Sequence, residues 1–468
     1  MGSLNPSTSQ QEDTLKVPSS HTSRKLHVAF DAQHLVADAG LLLPSALAQR
    51  LGLPELFEQH VDLGQAAGRA NVAAKAMTLI FSLLSGGDCI DDANAVRGGN
   101  CEAVLGHKAL AASTLGTFLR SFTWGHSKQL DLVSSELLRR AWAAGAGPGD
   151  GPLTIDLDST ICETFGVQKQ GAKLVNYAKV RGYHPLLAVA AGQGQGEVLH
   201  ARLRGGTANS SRGVTSFLKE TLKRVRRAGA TGSLLVRADS GFYTEDLVRT
   251  CRRLGAKFSI TVRLFPRLHQ RIAEIPEADW QPIPWLDGSA EVAEISYLAF
   301  ANTHHGGESG GIPARLIVRR VQPRAGSQLQ LQGILYRYHA FITDQQGNAL
   351  DLEVGHRRHA VVENVIRELK YGVGLNHLPS GRFGANAAWL ALNQIAHNLI
   401  RWIARLGLED GSLNAKTLRR RLFSVPARLV RSARRWQLRL PRHWPWERQF
   451  LVALQRLRCL EWRTPALA

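Results

Sequence analysis

The sequence predicts an α/β protein: a mixed β-sheet packed with helices, carrying a β-rich insertion, and flanked by helical N- and C-terminal regions. Three observations carry this expectation. From Pro152 to Leu264 the hydrophobic pattern runs strand, strand, strand, helix, strand, helix, strand. From Phe265 to Gly355 the helical period disappears and strand-like alternation replaces it. Leucine at helical spacing precedes this block, and helical text resumes after it.

Residues 1–25 are rich in Ser, Thr and Gln and are expected to be disordered. Residues 26–148 read as helical, punctuated by Gly, Asp and Asn. Within them, "CEAVLGHKALAASTLGTFLRSF" suits a helix-turn-helix reading DNA, or equally an ordinary pair in a bundle. "AAGAGPGDGP" is a linker, and the strands "LTIDLD", "HPLLAVAAG" and "EVLHARLRG" follow it. Val214, Phe217, Leu218, Leu222 and Val225 then line one helical face. Strand "SLLVRA", helix "TEDLVRTCRRLG" and strand "AKFSITVRL" complete the run. Successive strands first, then strands alternating with helices, predict an antiparallel start and a parallel continuation.

Residues 152–264 and 356–406 thus form the core, with 265–355 as the β-rich insertion. The insertion holds "VAEISYLAF", "ARLIVRRV", "LQLQGILYRYHAFITD", a "DQQGN" turn and the Gly-rich "THHGGESGG". Residues 407–468 are expected to be a basic helical region.

At 468 residues the chain suggests several domains, and 44% hydrophobic with 21% charged residues is a globular balance. The longest apolar stretch, Ala76 to Gly86, is shorter than the roughly 20 residues that span a bilayer. No early apolar segment resembles a signal peptide, and five scattered cysteines without a CxxC pair suit a reducing compartment. A cytoplasmic protein with no membrane partner is expected.

A net charge of +20 calls for a polyanionic partner. Residues 401–468 hold 16 Lys/Arg against four Asp/Glu, mostly arginine interleaved with tryptophan. Arginine grips phosphate as a fork and indoles stack, which suits nucleic acid; a solvated basic face or an acidic membrane surface would use the same composition.

Against that charge, two apolar strands each end in a carboxylate: Asp158 closes the first and Asp239 the fourth. Neighbouring strands would bring them to one edge, where a divalent cation would relieve their repulsion; hard oxygen ligands suit Mg²⁺ or Mn²⁺. Each could instead cap the turn that follows it. Asp156 shares a strand face with Asp158. Downstream, His356, His359, Glu363, Arg367 and Lys370 form a polar helical stripe beside an apolar one of Val362, Val365, Ile366 and Leu369. Glu363 could complete a three-carboxylate site, or pair with Arg367 on a solvated helix.

"DLDSTICETFGVQKQGAK", "KVRGYHPLLAVA", "GEVLHARLRGGTANSSRG", "VRADSGFY" and "ENVIRELKYGVGLNHLPSG" resemble bacterial insertion-sequence transposases of the DDE type, and more narrowly the insertion sequence 1380 family. The resemblance covers roughly Pro152 to Arg405 and implies a ribonuclease H-like core. It implies that Asp158, Asp239 and Glu363 are the catalytic, metal-holding acids. Related cut-and-paste enzymes carry Tyr-x2-Arg-x3-Glu-x6-Lys on the last helix; here His356, His359, Glu363 and Lys370 stand at those positions, with His in place of Tyr and Arg. DNA contacts are implied for His356, His359 and Lys370. Lys169, Lys173, Lys179 and Arg181, in the connection between the first two strands, could grip a transposon end or belong to a solvated loop.

The implied activity is Mg²⁺- or Mn²⁺-dependent cleavage of double-stranded DNA at terminal inverted repeats, with strand transfer into a target. A homodimer would hold two ends in a synaptic complex. Trp280 and Trp285, by location, could stack on a flipped base or serve the core. Other readings are a structure-selective nuclease, a non-catalytic DNA-binding protein derived from a transposase, and an RNA-directed hydrolase.

Overall fold

A computed structural model describes residues 27–461, apart from 66–67, 176–177, 192–195, 287–288, 302–309, 324–325, 327, 329–334 and 409–411. The segment 1–25, most of the Gly-rich "THHGGESGG" and the start of "LQLQGILYRYHAFITD" lie outside the described residues.

The N-terminal part opens with the short strand β1 (Leu35–Val36) and continues through α1 (Leu42–Arg50), α2 (Leu53–His60), α3 (Val72–Ser85), α4 (Ala93–Gly98), α5 (Glu102–Leu105), α6 (Ala112–Arg120) and α7 (Trp124–Ala141). Helix α3 is apolar on nearly every side and is buried accordingly. The helix-turn-helix reading falls on α5 and α6. The first is a single turn, and the second spends Leu115, Phe118 and Leu119 on the core, leaving Ser113, Thr117 and Arg120 exposed.

The linker leads into β2 (Leu153–Ser159). Strands β3 (Cys162–Glu163), β4 (Lys173–Val175) and β5 (Val180–Tyr183) form a small antiparallel sheet in the connection that the sequence had suggested was loop. Then come β6 (Leu186–Ala191), β7 (Glu197–Arg202), α8 (Val214–Arg227), β8 (Leu234–Ala238), α9 (Glu245–Arg253) and β9 (Ala256–Val262). The insertion contributes α10 (Pro266–Ala273), β10 (Gln281–Pro282), β11 (Ala290–Ala299), β12 (Ile312–Val321) and β13 (Arg337–Thr343).

These strands build one nine-stranded sheet in the order β10-β11-β12-β13-β9-β8-β2-β6-β7. Strands β2, β8 and β9 run parallel, whereas β6 and β7 are antiparallel, as the order of elements predicts. The central strands are buried almost throughout because helices cover both faces. Helix α8 buries the predicted stripe of Val214, Phe217, Leu218, Leu222 and Val225. The insertion extends this same sheet, joining through β13 onto β9.

After it, α11 (Ala349–Arg357), a 3-10 turn, α12 (Val361–Arg367) and a π turn through Gly372 form a continuous helical run. Val362, Val365 and Leu369 on this run are buried. Helix α13 (Phe383–Trp402) is buried along nearly its whole length, and its side chains join the N-terminal helices and the sheet in one apolar core.

The chain ends with α14 (Ala415–Leu418), β14 (Ala427–Ser432), β15 (Arg435–Arg439) and α15 (Glu447–Arg458). The expected helical C-terminal region is thus corrected: its middle is a β-hairpin, extended by β1 into a three-stranded sheet. In β15, Arg435, Trp436, Gln437, Leu438 and Arg439 alternate polar and apolar with period two, which is the pattern of a strand.

Candidate catalytic site

Parallel pairing of β2 with β8 sets the site. Asp156 lies opposite Arg237 and Leu157 opposite Ala238, so Asp158 and Asp239 leave the sheet side by side at one edge. Ser159 N–H donates to Asp158 Oδ1 at 2.6 Å. Asp239 opens a 3-10 turn, and its Oδ1 accepts from Gly241 N–H at 2.8 Å. A Cβ at Gly241 would stand 2.8 Å from Ser210 Oγ and 3.1 Å from Asp239 Oδ1, so only glycine lets this loop close on the acid. Asp239 therefore does cap a turn, through one of its two oxygens.

Glu363 projects from α12 and is exposed. It does not pair with Arg367, which donates instead to Asn364 Oδ1 at 2.8 Å. The Asp158 carboxyl is pushed up to about 6 by burial, and the charges of Asp239 and Glu363 raise it further; the Ser159 N–H and His359 oppose the rise. Asp158 is thus close enough to both other acids to feel their charge. The ligand oxygens of Asp158, Asp239 and Glu363 do not all lie within 4.8 Å of one another, but an oxygen-only donor set suits a hard divalent cation, which would draw them together and relieve the repulsion.

Beneath the acids sits a buried ionic tripod. Asp156 is fully buried and is gripped by Arg237 in a fork, Nε to Oδ1 at 2.7 Å and Nη2 to Oδ2 at 2.8 Å. His359 Nδ1 donates to Asp156 Oδ1 at 3.0 Å, and Arg237 also donates to the Gly355 carbonyl. Each foot is a short step from an acid: Asp156 lies two residues before Asp158, Arg237 two before Asp239, and His359 one helical turn before Glu363. The tripod joins the three elements that carry the acids. Asp156 is committed to it.

The other expected site residues are dispersed. His356 stacks on Phe341 and has both ring nitrogens engaged, by Ser259 Oγ at 2.8 Å and Thr261 Oγ1 at 2.9 Å. Burial, with His359 and two arginines nearby, lowers it to about 3, so the ring is neutral. Lys370 reaches the surroundings of Cys162, whose thiol burial pushes up to about 12 and Lys370 draws back. Lys169 donates to the Leu378 carbonyl at 2.7 Å and Arg181 to the Ala172 carbonyl at 2.9 Å, ties that brace the small sheet. Lys179 is exposed in a left-handed turn with φ 56°. Trp280 is buried under the Arg320 guanidinium, 4.3 Å from its centroid, and Trp285 is half exposed.

Residue-level reading had missed Arg237, Arg204, His184 and Ser210. Arg204 donates to the carbonyls of His184, Asn209, Ser210 and Arg212, shaping the loop that presents Ser210 Oγ 3.3 Å from Ser159 Oγ, next to Asp158 in sequence. All four lie inside segments that carry the family resemblance, so the signal was present in the motifs.

A separate cluster places Asp131, His200 and Glu220 within ligand distance of one another. Its oxygens are already bound: Asp131 by Arg224 at 2.6 Å and Glu220 by Arg202 at 2.6 Å, with Lys128 at 3.4 Å. Three cations against two carboxylates leave no deficit for a metal to fill. This is an ion-pair network linking α7, β7 and α8.

Fold and site together describe an α/β protein with an acidic sheet edge on a strongly basic body, and no helix among the described residues is long and apolar enough to cross a membrane. The profile of the family described as "Transposase DDE domain group 1" matches residues 19–462. The chain belongs to this family of DDE transposases, enzymes of the polynucleotidyl transferase class. No curated protein matches the sequence. A solved piggyBac transposase synaptic complex with hairpin DNA is similar over 86% of this chain and 81% of that one, at 10% identity and a TM-score of 0.42.

Proposed function

We propose that the protein cuts DNA at the terminal inverted repeats of its element and joins the freed ends to a target, as a member of the insertion sequence 1380 group. The observation that supports this most is the placement of Asp158 and Asp239 side by side at the end of two parallel strands, with Glu363 near enough for its charge to act on Asp158. The strand order β7-β6-β2-β8-β9, antiparallel and then parallel, is what a ribonuclease H-like core in 152–264 and 356–406 would have, with 265–355 inserted.

In this reading Asp158, Asp239 and Glu363 hold Mg²⁺ or Mn²⁺. Bound there, the metal would sharpen a water or 3′-hydroxyl as nucleophile and steady the leaving oxygen. His359 is held by Asp156 through Nδ1, which leaves Nε2 for a phosphate oxygen or water at the site. Lys370 and Lys179 contact the DNA backbone. His356, Lys169 and Arg181 support these elements through the internal bonds described above. The N-terminal helices of 26–148 and the basic 407–468 segment bind the ends. Two copies hold two ends, in the bacterial cytoplasm at the nucleoid.

The test combines the protein, Mg²⁺, linear DNA bearing paired terminal repeats and a target plasmid. Joined products support the proposal. Cut ends without joining would make it a nuclease, and a mobility shift without cutting a DNA-binding protein. Asp158→Ala, Asp239→Ala and Glu363→Ala should each lose cleavage by several orders of magnitude while still shifting the DNA; robust cutting by any of them overturns the assignment.

A further inference from the structure

The C-terminal hairpin has features that the core does not explain. Its base is anchored, since Ala427 is buried and Leu438 packs against the main core. Beyond that base, residues 431–437 are all exposed. The ribbon holds Arg428, Arg431, Arg434, Arg435 and Arg439 and no acid, and none of the five has a carboxylate partner among the described residues.

Register sorts these side chains by face. Arg428 lies opposite Arg439, Val430 opposite Gln437 and Ser432 opposite Arg435. Strand alternation therefore gathers Arg428, Arg435, Gln437 and Arg439 on one face, while Arg431 covers the Trp436 ring on the other, 5.8 Å from its centroid. Like charges directly across a ladder oppose pairing. At the tip, Ala433 and Arg434 both take the left-handed backbone, with φ 46° and 64°. That two-residue turn favours Asn-Gly, yet here it presents an exposed arginine at the hairpin tip. Uncompensated charge and a strained tip both make sense if an anion completes the face.

We infer that this ribbon enters the major groove of duplex DNA with its Arg428–Arg435–Gln437–Arg439 face against the base edges. From Leu429 to the tip it reaches about 13 Å, at about 3.3 Å per residue. The major groove, about 12 Å wide, admits a two-stranded ribbon, and arginine forks onto the O6 and N7 of guanine. This rests on the reading above only in taking DNA as the polyanion.

The experiment measures binding by the full chain, without divalent metal, to a mixed-sequence duplex, to the same duplex with 7-deazaguanine, to single-stranded DNA and to anionic vesicles. A duplex ending in the element's terminal repeat forms a further arm. The variant carries Arg428→Ala, Arg435→Ala and Arg439→Ala together; a second carries Lys at all three. Because these side chains are exposed, circular dichroism and thermal midpoint should match the parent.

The alanine variant should bind duplex at least tenfold more weakly. Its slope of log affinity against log salt should be shallower by up to about 2.7, near 0.9 for each of the three cations lost. 7-Deazaguanine should weaken the parent but not the alanine variant, and lysine, which keeps the charge, should restore the slope. Preference for the terminal repeat makes the ribbon a reader of the element's ends; equal binding to both duplexes makes it a groove anchor on any DNA. Unchanged duplex affinity in the alanine variant overturns the inference, as does a loss seen only on single strands or vesicles. Indifference of the parent to 7-deazaguanine overturns the major-groove placement. Asp158→Asn protein should keep the ribbon-dependent binding, so a failure of catalysis and a failure of the ribbon are separately visible.

Discussion

Asp156 and Asp158 lie two residues apart on one strand, yet substitution should move stability in opposite directions. Asp156 answers the buried charge of Arg237, so Asp156→Asn should cost about 3–5 kcal/mol in denaturant unfolding and weaken Mn²⁺ binding measured by calorimetry. Asp158 is held with its carboxyl raised to about 6 from 3.8. In metal-free protein Asp158→Asn should gain on the order of 1–3 kcal/mol at neutral pH. The sign follows from linkage: the folded state holds this proton more tightly than the unfolded chain, so the stability it contributes is present at low pH and is lost between about pH 4 and 6. Unfolding midpoints recorded with chelator should show that decline, whereas Mg²⁺ and Asp158→Asn should each flatten it. The sequence could not tell these two aspartates apart. What separates them is Arg237, 81 residues away, and a charge within the apolar run "SLLVRA" reads in sequence as an outward-facing position rather than a partner.

At the level of elements, period and order were legible because burial on one face imposes them: β2, β6, β7, α8, β8, α9 and β9 fall where the hydrophobic pattern puts them. What escaped were elements whose pattern comes from a partner. The β14–β15 hairpin buries little, and the polar residues of α13 are explained only by the strand beside them. Asn398 treats β7 as a neighbouring strand would, accepting from Val198 N–H at 2.8 Å and donating to the Val198 carbonyl at 2.8 Å, with Gln394 adding a bond at 3.2 Å. Asn398→Ala would leave the buried Val198 N–H unpaired, with Gln394 still bonded to the carbonyl. It should cost about 1–3 kcal/mol and speed hydrogen exchange of the Val198 amide, measurable by NMR; an unchanged exchange rate would refute this role.

For the whole molecule, the sheet's two margins matter as much as its centre. At one end α13 covers β7; at the other, β10 has only two residues and its Pro282 supplies no N–H. Although β10 covers only Glu291 and Val292 of β11, two bodies of +20 repel one another. Sedimentation should therefore give a single-copy mass for the protein alone and a two-copy mass with paired-end DNA; a stable pair without nucleic acid would contradict this. Like charge would thus do more than keep copies dispersed. It would leave the enzyme solitary until a strand of opposite charge neutralises two of them at once, so that the substrate itself decides when assembly occurs.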